Sequence, residues 1–196
     1  MKEERQTAER ALMYVVLPLW AIAGLGDYFC HRSSRIERTS GTHESLTHAL
    51  MMSSLGVPAA LALLCEINAL TIATSAATAI LHEAIVIWDV AYANGRRNVT
   101  TTEQHFHSFL EVLPLTSLLL LATSRPEHVR ALFGGRTERG AFTLRPKSNP
   151  LARVSLFATF LGMGAFVGLP YVEEFVRCYT ADRTLAPHAK SRQPIE

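Results

Sequence analysis

The sequence predicts an all-α integral membrane bundle of about five transmembrane helices. Four of them are expected to surround a histidine and carboxylate site near one membrane face. Three observations lead there. Long apolar runs recur along the 196 residues, and each approaches the roughly 20 residues that a bilayer crossing needs. Charge is concentrated in the tails and loops. No sustained alternation of apolar and polar residues exists, and the runs are too long for strands. The bulk figures alone, 48% hydrophobic residues and a mean hydropathy of +0.15, would fit a soluble protein. The argument for lipid rests on how the apolar residues are distributed.

The five expected spans cover residues 11–29, 44–65, 67–93, 103–123 and 151–172. Ahead of the first, "MKEERQTAER" carries Glu3, Glu4 and Glu9. Those acids argue against a cleaved signal peptide, although Ala21-Ile22-Ala23 has the small-residue pattern of a cleavage site. Gly56 and Pro58 predict a kink in the second span. Only Glu66 and Asn68 interrupt the apolar run between the second and third, which predicts a tight helical hairpin. Thr42 is expected to cap the second helix. Gly95 ends the third, and Thr100 with Glu103 has capping-box spacing at the start of the fourth. Pro114 lies inside the fourth. A long basic loop rich in Gly and Pro leads to the fifth. Residues 1–178 are read as a single membrane-embedded helical domain, and 179–196 as a polar, poorly ordered C-terminal tail. His128 and His188 read as solvated.

Net charge is +2, too small to argue for nucleic acid, so the basic residues are read as membrane-flanking. Cys30, Cys65 and Cys178 are far apart and have no CxxC spacing. They predict neither a disulfide framework nor a zinc ribbon.

Consecutive spans alternate in direction. The N-terminus, the Glu66 turn and the long basic loop therefore share one face, termed face A. The loops after the first and third spans share the other, face B. Arginine and lysine are divided almost evenly and lean weakly towards face A inside. Every acid and histidine pair then falls at similar depth on the face B side. Asp27 and His31 are i,i+4 on the first span, Glu44 and His48 on the second, and Glu103, His107 and Glu111 repeat that spacing on the fourth. His82 and Asp89 are i,i+7 on the third. Each set forms one stripe on its helix.

Ionisable groups inside a span cost about 2.5–3.5 kcal/mol each and so face the bundle interior with partners. A single pair at i,i+4 ordinarily serves as a surface or capping contact. Four pairs at one depth point to a metal site, with ligands for more than one ion. His31, His48, His82 and His107 are the expected imidazole ligands, with Asp27, Glu44, Asp89 and Glu111 as terminal or bridging carboxylates. Glu103, Glu37, His43 and His105 are candidate further ligands, outer partners or proton relays. His105 falls off the stripe of His107. Glu83 points away from His82 and is the candidate general base of a hydrolytic site. Imidazole and carboxylate without thiolate suit iron, zinc or manganese. Di-iron carboxylate bundles use the same ingredients with Glu-x-x-His spacing, whereas here the spacing is Glu-x-x-x-His. Trp88 and Tyr92 read as an interfacial aromatic belt, and Met51 and Met52 as packing.

The stretches "GLGDYFCHRSSRIERTSGTHESLTHAL", "LHEAIVIWDVAYA" and "EQHFHSFLEVLPL" together resemble a family of bacterial multi-span inner-membrane proteins. The resemblance implies a bacterial inner (cytoplasmic) membrane location and brings no activity with it. More loosely, the histidine clusters look like the histidine boxes of membrane fatty-acid hydroxylases and desaturases, which hold two irons for oxygen activation. This chain has no His-x-x-His-His box and places carboxylates where those enzymes place mainly histidines.

The leading expectation is a membrane metalloenzyme with a two-metal site, iron before zinc, that oxidises a lipid or other hydrophobic substrate with dioxygen. A zinc-dependent hydrolase of a lipid amide or ester is the second expectation, and a metal-ion or proton transporter the third. The expected partners are membrane lipid and a hydrophobic small-molecule or lipid substrate, with room for an electron-donor protein and for a homo-oligomer.

Overall fold

The computed structural model of the chain describes residues 2–190. Among them there are six helices and no strand beyond one isolated antiparallel bridge, Cys65 with Pro146. Helix α1 runs Lys2–Ala11, widens through a π-helical segment at Leu12–Val16 and continues as Leu17–Ser34. Helix α2 is Gly41–Leu64, α3 Ala69–Asn94, α4 Thr101–Ser124 and α5 the short Pro126–Leu132. Helix α6 runs Arg153–Met163, widens at Gly164–Gly168 and continues as Leu169–Lys190. Both π segments stop just short of a proline, Pro18 in α1 and Pro170 in α6. A proline ring clashes with the carbonyl one turn earlier and donates no hydrogen bond. A widened turn accommodates both effects without ending the helix.

Helices α1, α2, α3, α4 and α6 are long and apolar enough to cross a membrane, as expected of an integral membrane protein. The chain is also polar inside and apolar outside. Asp27, His31, Glu44, Ser45, Thr47, His48, Asp89, Glu103 and Glu174 are buried, while Ile80, Ile87, Val154, Phe157 and Leu169 are more than half exposed. That pattern suits a lipid solvent, where polar groups turn inward. Small residues such as Ser45, Ser54, Ser75 and Ala79 occupy the α2–α3 interface side and let the two backbones approach.

Contacts at the two ends give the expected alternation. At face A, Arg5 bonds Glu127 at 2.7 Å and Arg125 bonds Glu9 at 2.8 Å, tying α1 to α5. Asn68 caps α3 in a capping box with Thr71 and also donates to the Thr143 carbonyl at 2.8 Å, which pins the long loop over the α2–α3 turn. Glu66 accepts from both the amide and the hydroxyl of Ser148 at 2.7 Å. At face B, Thr100 and Glu103 form the expected capping box and Gly95 closes α3.

Three expectations need correction. Thr42 does not cap α2. Helix α2 begins at Gly41 after Ser40, with no side-chain cap from its own strand of sequence, and Asp182 of α6 accepts from the Thr42 amide at 3.0 Å instead. Gly41 suits that arrangement because its φ is +62° and a Cβ there would lie 2.9 Å from the Asp182 carboxylate. The loop between the fourth and fifth spans contains a helix, α5. The fifth span does not end at 172, because α6 continues helical through Lys190. Of the expected polar tail, residues 191–196 and the side chain of His188 lie outside the described residues.

Candidate metal centre

All five long helices contribute to one buried polar cluster at face B, and they do so in three linked groups. Asp27 and His31 of α1 meet Glu103 and His107 of α4. His31 Nε2 lies 3.3 Å from Asp27 Oδ1 and 3.3 Å from Glu103 Oε1, and His107 Nε2 lies 2.9 Å from the same Asp27 oxygen. Glu44 and His48 of α2 meet Asp89 of α3, with His48 Nε2 3.4 Å from Asp89 Oδ2 and 3.9 Å from Glu44 Oε1. Between these groups stands Glu174 of α6. Its two oxygens lie 2.8 Å from His31 Nδ1 and 2.9 Å from His48 Nδ1.

Glu174 settles the chemistry of both rings. An ionised carboxylate only accepts, so each Nδ1 carries the proton and donates it to Glu174. In a neutral ring each Nε2 then keeps a lone pair that faces the carboxylates of its own group. His31 Nε2, His48 Nε2 and Asp27 Oδ1 are buried with no hydrogen-bond partner among the described residues. Leaving such atoms unmade is costly in a buried site. A carboxylate that holds Nδ1–H while Nε2 faces a cation is the arrangement that orients metal-bound histidine. The two rings are also stacked, 4.4 Å apart and 7° from parallel. Uncharged imidazoles tolerate that contact, whereas two imidazolium ions would repel.

Arg97, in the α3–α4 loop, closes the face B side. Its Nε donates to Glu44 at 3.0 and 3.1 Å, its Nη1 donates to Glu103 at 2.9 Å, and its Nη2 bonds both glutamates. The planar fork of arginine makes this double pairing possible. Although burial works against its charge, the Glu44 and Glu103 carboxylates hold its pKa above the ordinary arginine value.

The charges fit two cations. Asp27, Glu44, Asp89, Glu103 and Glu174 converge on one cluster with Arg97 as the fixed positive charge. With neutral imidazoles, the remainder equals the charge of two divalent ions. The donors are hard oxygens and imidazole nitrogens, without thiolate. The buried His, Asp and Glu groups could therefore hold metal.

Seven expected site residues are thus brought together: Asp27, His31, Glu44, His48, Asp89, Glu103 and His107. Three are placed otherwise. His82 lies outside the three groups; its Nδ1 is 3.3 Å from the Ser54 hydroxyl, and its Nε2 has no partner. Glu111 lies outside them too, bordering a small cavity beside the cluster. Glu83 is half-buried and belongs to none of the groups. For His82 and Glu111 the reason is depth along the helix axis. His82 and Asp89 share a stripe, but two turns of α3 separate them by about 10 Å, and Asp89 takes the level of His48. Glu111 is likewise one turn beyond His107. Of the outer candidates, Glu37 pairs with Arg177, His43 stacks on Tyr92 at 3.9 Å, and His105 meets Phe109 edge-on in an exposed position.

Sequence reasoning missed Glu174, Tyr171 and Arg97. Tyr171 donates to Asp27 Oδ2 at 3.2 Å, and Thr47 bonds Asp89. A signal for Glu174 was present: Val167, Tyr171, Glu174 and Cys178 follow i, i+4, i+7, i+11 spacing, and all four are buried. A span that ends at 172 leaves the acid outside the helix. Arg97 reads in the sequence only as one of the membrane-flanking basic residues. No protein family, curated protein or solved structure matches the chain.

Proposed function

We propose that the protein is a membrane metalloenzyme that uses a two-metal, iron-loaded centre to oxidise a lipid or other hydrophobic substrate with dioxygen. The observation that carries this reading is the pair of ligand groups joined back to back through Glu174, each with a buried imidazole nitrogen left free. The first ion would be held by Asp27, His31, Glu103 and His107, and the second by Glu44, His48 and Asp89. Carboxylate-rich sets with few imidazoles favour iron and manganese over copper. Bound there, an iron pair would supply reductive activation of dioxygen, for which an electron donor would provide two electrons and two protons, one oxygen atom leaving as water and the other entering a substrate C–H bond.

The chain's own residues do the rest. Glu174 holds both imidazoles in one tautomer and one orientation. Tyr171 and Thr47 fix the rotamers of Asp27 and Asp89 through hydrogen bonds. Arg97 shuts the cluster from face B. Beside the ligands lies a cavity of about 40 Å³ bordered by Asp27, His48, Asp89, His107, Met52 and Leu110. A cavity needs only about 10–15 Å³ on this measure to hold one water, so the space admits a few molecules of that size, and Met52 and Leu110 give it an apolar side. His82 also borders it, and its free Nε2 can take up or deliver a proton there.

Metal analysis of the purified full-length protein is the test. Near two irons per chain is expected, and His31→Ala and His48→Ala should each lower the content. Zinc at one or two per chain would replace oxidation with hydrolysis. Protein that stays folded with no metal under iron-replete expression would sink the reading.

A further inference from the structure

A second, larger cavity lies on the other side of the bundle. It has a volume of about 350 Å³ and is walled by the face A halves of α1, α2, α3 and α4. That volume is at the lower end of the range of small-ligand pockets. Its lining is aliphatic and aromatic through most of its depth. Its face A end, which we take as the mouth, is bordered by Arg10 of α1 and Lys147 of the long loop. Glu9, also at the mouth, is engaged by Arg125 at 2.8 Å. Neither Arg10 nor Lys147 makes an ion pair among the described residues, so the mouth is cationic. The deep end is formed by Trp20, Leu55, Ala79 and Leu113.

The deep end approaches the small cavity beside the metal groups, which His82 borders. On α3, Ala79 precedes His82 by less than one turn, about 5 Å of rise. Trp20 and Leu113 belong to the same packed cluster as Met52 and Leu110, which border the small cavity beside the ligands. One layer of side chains therefore separates the two cavities. Within that layer Trp20 is 8% exposed, and its Nε1–H has no partner. A buried indole donor usually finds an acceptor, so the floor of an otherwise apolar pocket offers one unmet hydrogen bond.

We propose that this cavity binds one single-chain anionic amphiphile, its head group at Arg10 and Lys147 and its chain directed towards the metal groups. The volume admits one chain. The cationic mouth selects a carboxylate or phosphate head, and the apolar shaft takes the tail. The chain runs from face A to a centre at face B, so carbons far from the head group reach Trp20 and the layer below it. That last consequence rests on the metalloenzyme reading; occupancy of the cavity does not.

The test uses full-length, metal-loaded protein in nanodiscs of zwitterionic lipid. The probes are alkyl chains with a diazirine at the far end and a carboxylate, phosphate or trimethylammonium head. The carboxylate or phosphate probe is expected to label around Trp20, Leu55 and Leu113, and whichever labels better identifies a fatty acid or a phosphorylated lipid as the source. The trimethylammonium probe should label weakly. Arg10→Gln together with Lys147→Gln should weaken labelling about thirtyfold, since each surface cation contributes roughly 1 kcal/mol of attraction to an anionic group and about 1.4 kcal/mol is a factor of ten. Ala59→Trp, which fills the shaft, should abolish it with metal content unchanged. Should Ala59→Trp not fold, the two charge changes at the mouth decide the matter. Labelling that ignores the head group, or that falls only on outward-facing Val154 and Phe157, overturns the proposal. Head-group-selective labelling of protein that binds no iron under iron-replete expression would uphold the cavity assignment while the metalloenzyme reading fails.

Discussion

Glu174 and Arg97 are the residues on which the cluster turns. Glu174 accepts from both imidazoles, and Arg97 spans the same two groups through Glu44 and Glu103. In Glu174→Gln the amide retains one acceptor and presents a donor to the second Nδ1–H. One ring must turn or change tautomer. Metal affinity is expected to fall about 10–100-fold, the usual effect of losing such a partner, as measured by competition with a chelator of known affinity. Unchanged affinity would mean that the rings are held by packing alone. Arg97→Gln leaves Glu44 and Glu103 facing each other without the guanidinium between them. Removing one partner of a buried pair costs about 3–5 kcal/mol, which denaturation in detergent should register. Arg97→Lys should restore little of it, because an ammonium cannot fork between two carboxylates.

Two packing features govern the elements. The first is the approach of α4 to α1 beside the ligands. A Cβ on Gly26 would lie 2.4 Å from the Phe106 ring. Gly26 adjoins Asp27 and Phe106 adjoins His107, so the contact sets the separation of the helices that carry one ligand group. Gly26→Ala should cost about 1–3 kcal/mol by overpacking and reduce metal content. Phe106→Leu on the same background should recover part of both, and no recovery would argue against this contact as the spacer. The second is the closure of the face A loop on the α2–α3 turn. The amide of Ser148, then its hydroxyl, donates to Glu66 and holds that carboxyl below its ordinary pKa. A group depressed on folding contributes stability above its unfolded value, about 4.3 for Glu, and loses it as pH falls through the folded value. The loop should therefore loosen on acidification below the usual carboxylate range. Hydrogen exchange at Ser148 should quicken there in the wild type, while Glu66→Gln should be fast already at neutral pH.

For the whole molecule, the inverted distribution of polarity would make fold depend on metal bound in the proposed centre. The polar interior is compensated when its carboxylates are balanced, and the apolar exterior contributes no drive for helix association in lipid. Stripping metal with a chelator leaves the interior with excess negative charge. The thermal midpoint of the purified protein should drop by about 5 °C or more and recover on adding back ferrous iron, because a ligand that binds only the folded state stabilises it. A midpoint indifferent to chelation would count against a resident metal.

The spans, their alternation and the acid and histidine stripes were legible in the chain because each is a local property. Run length reports a crossing, and i,i+4 spacing reports a shared helix face, so Asp27/His31, Glu44/His48 and Glu103/His107 could be read directly. Whether two stripes meet depends on how helices rotate and how deep they sit against one another. Spacing along one helix does not contain that information. Depth removed His82 and Glu111 from the ligand groups. Rotation and length of α6 brought in Glu174, 143 residues from His31 and 126 from His48. Chain entropy makes such contacts invisible to local pattern, since a pairing over that separation exists only once the intervening helices have packed.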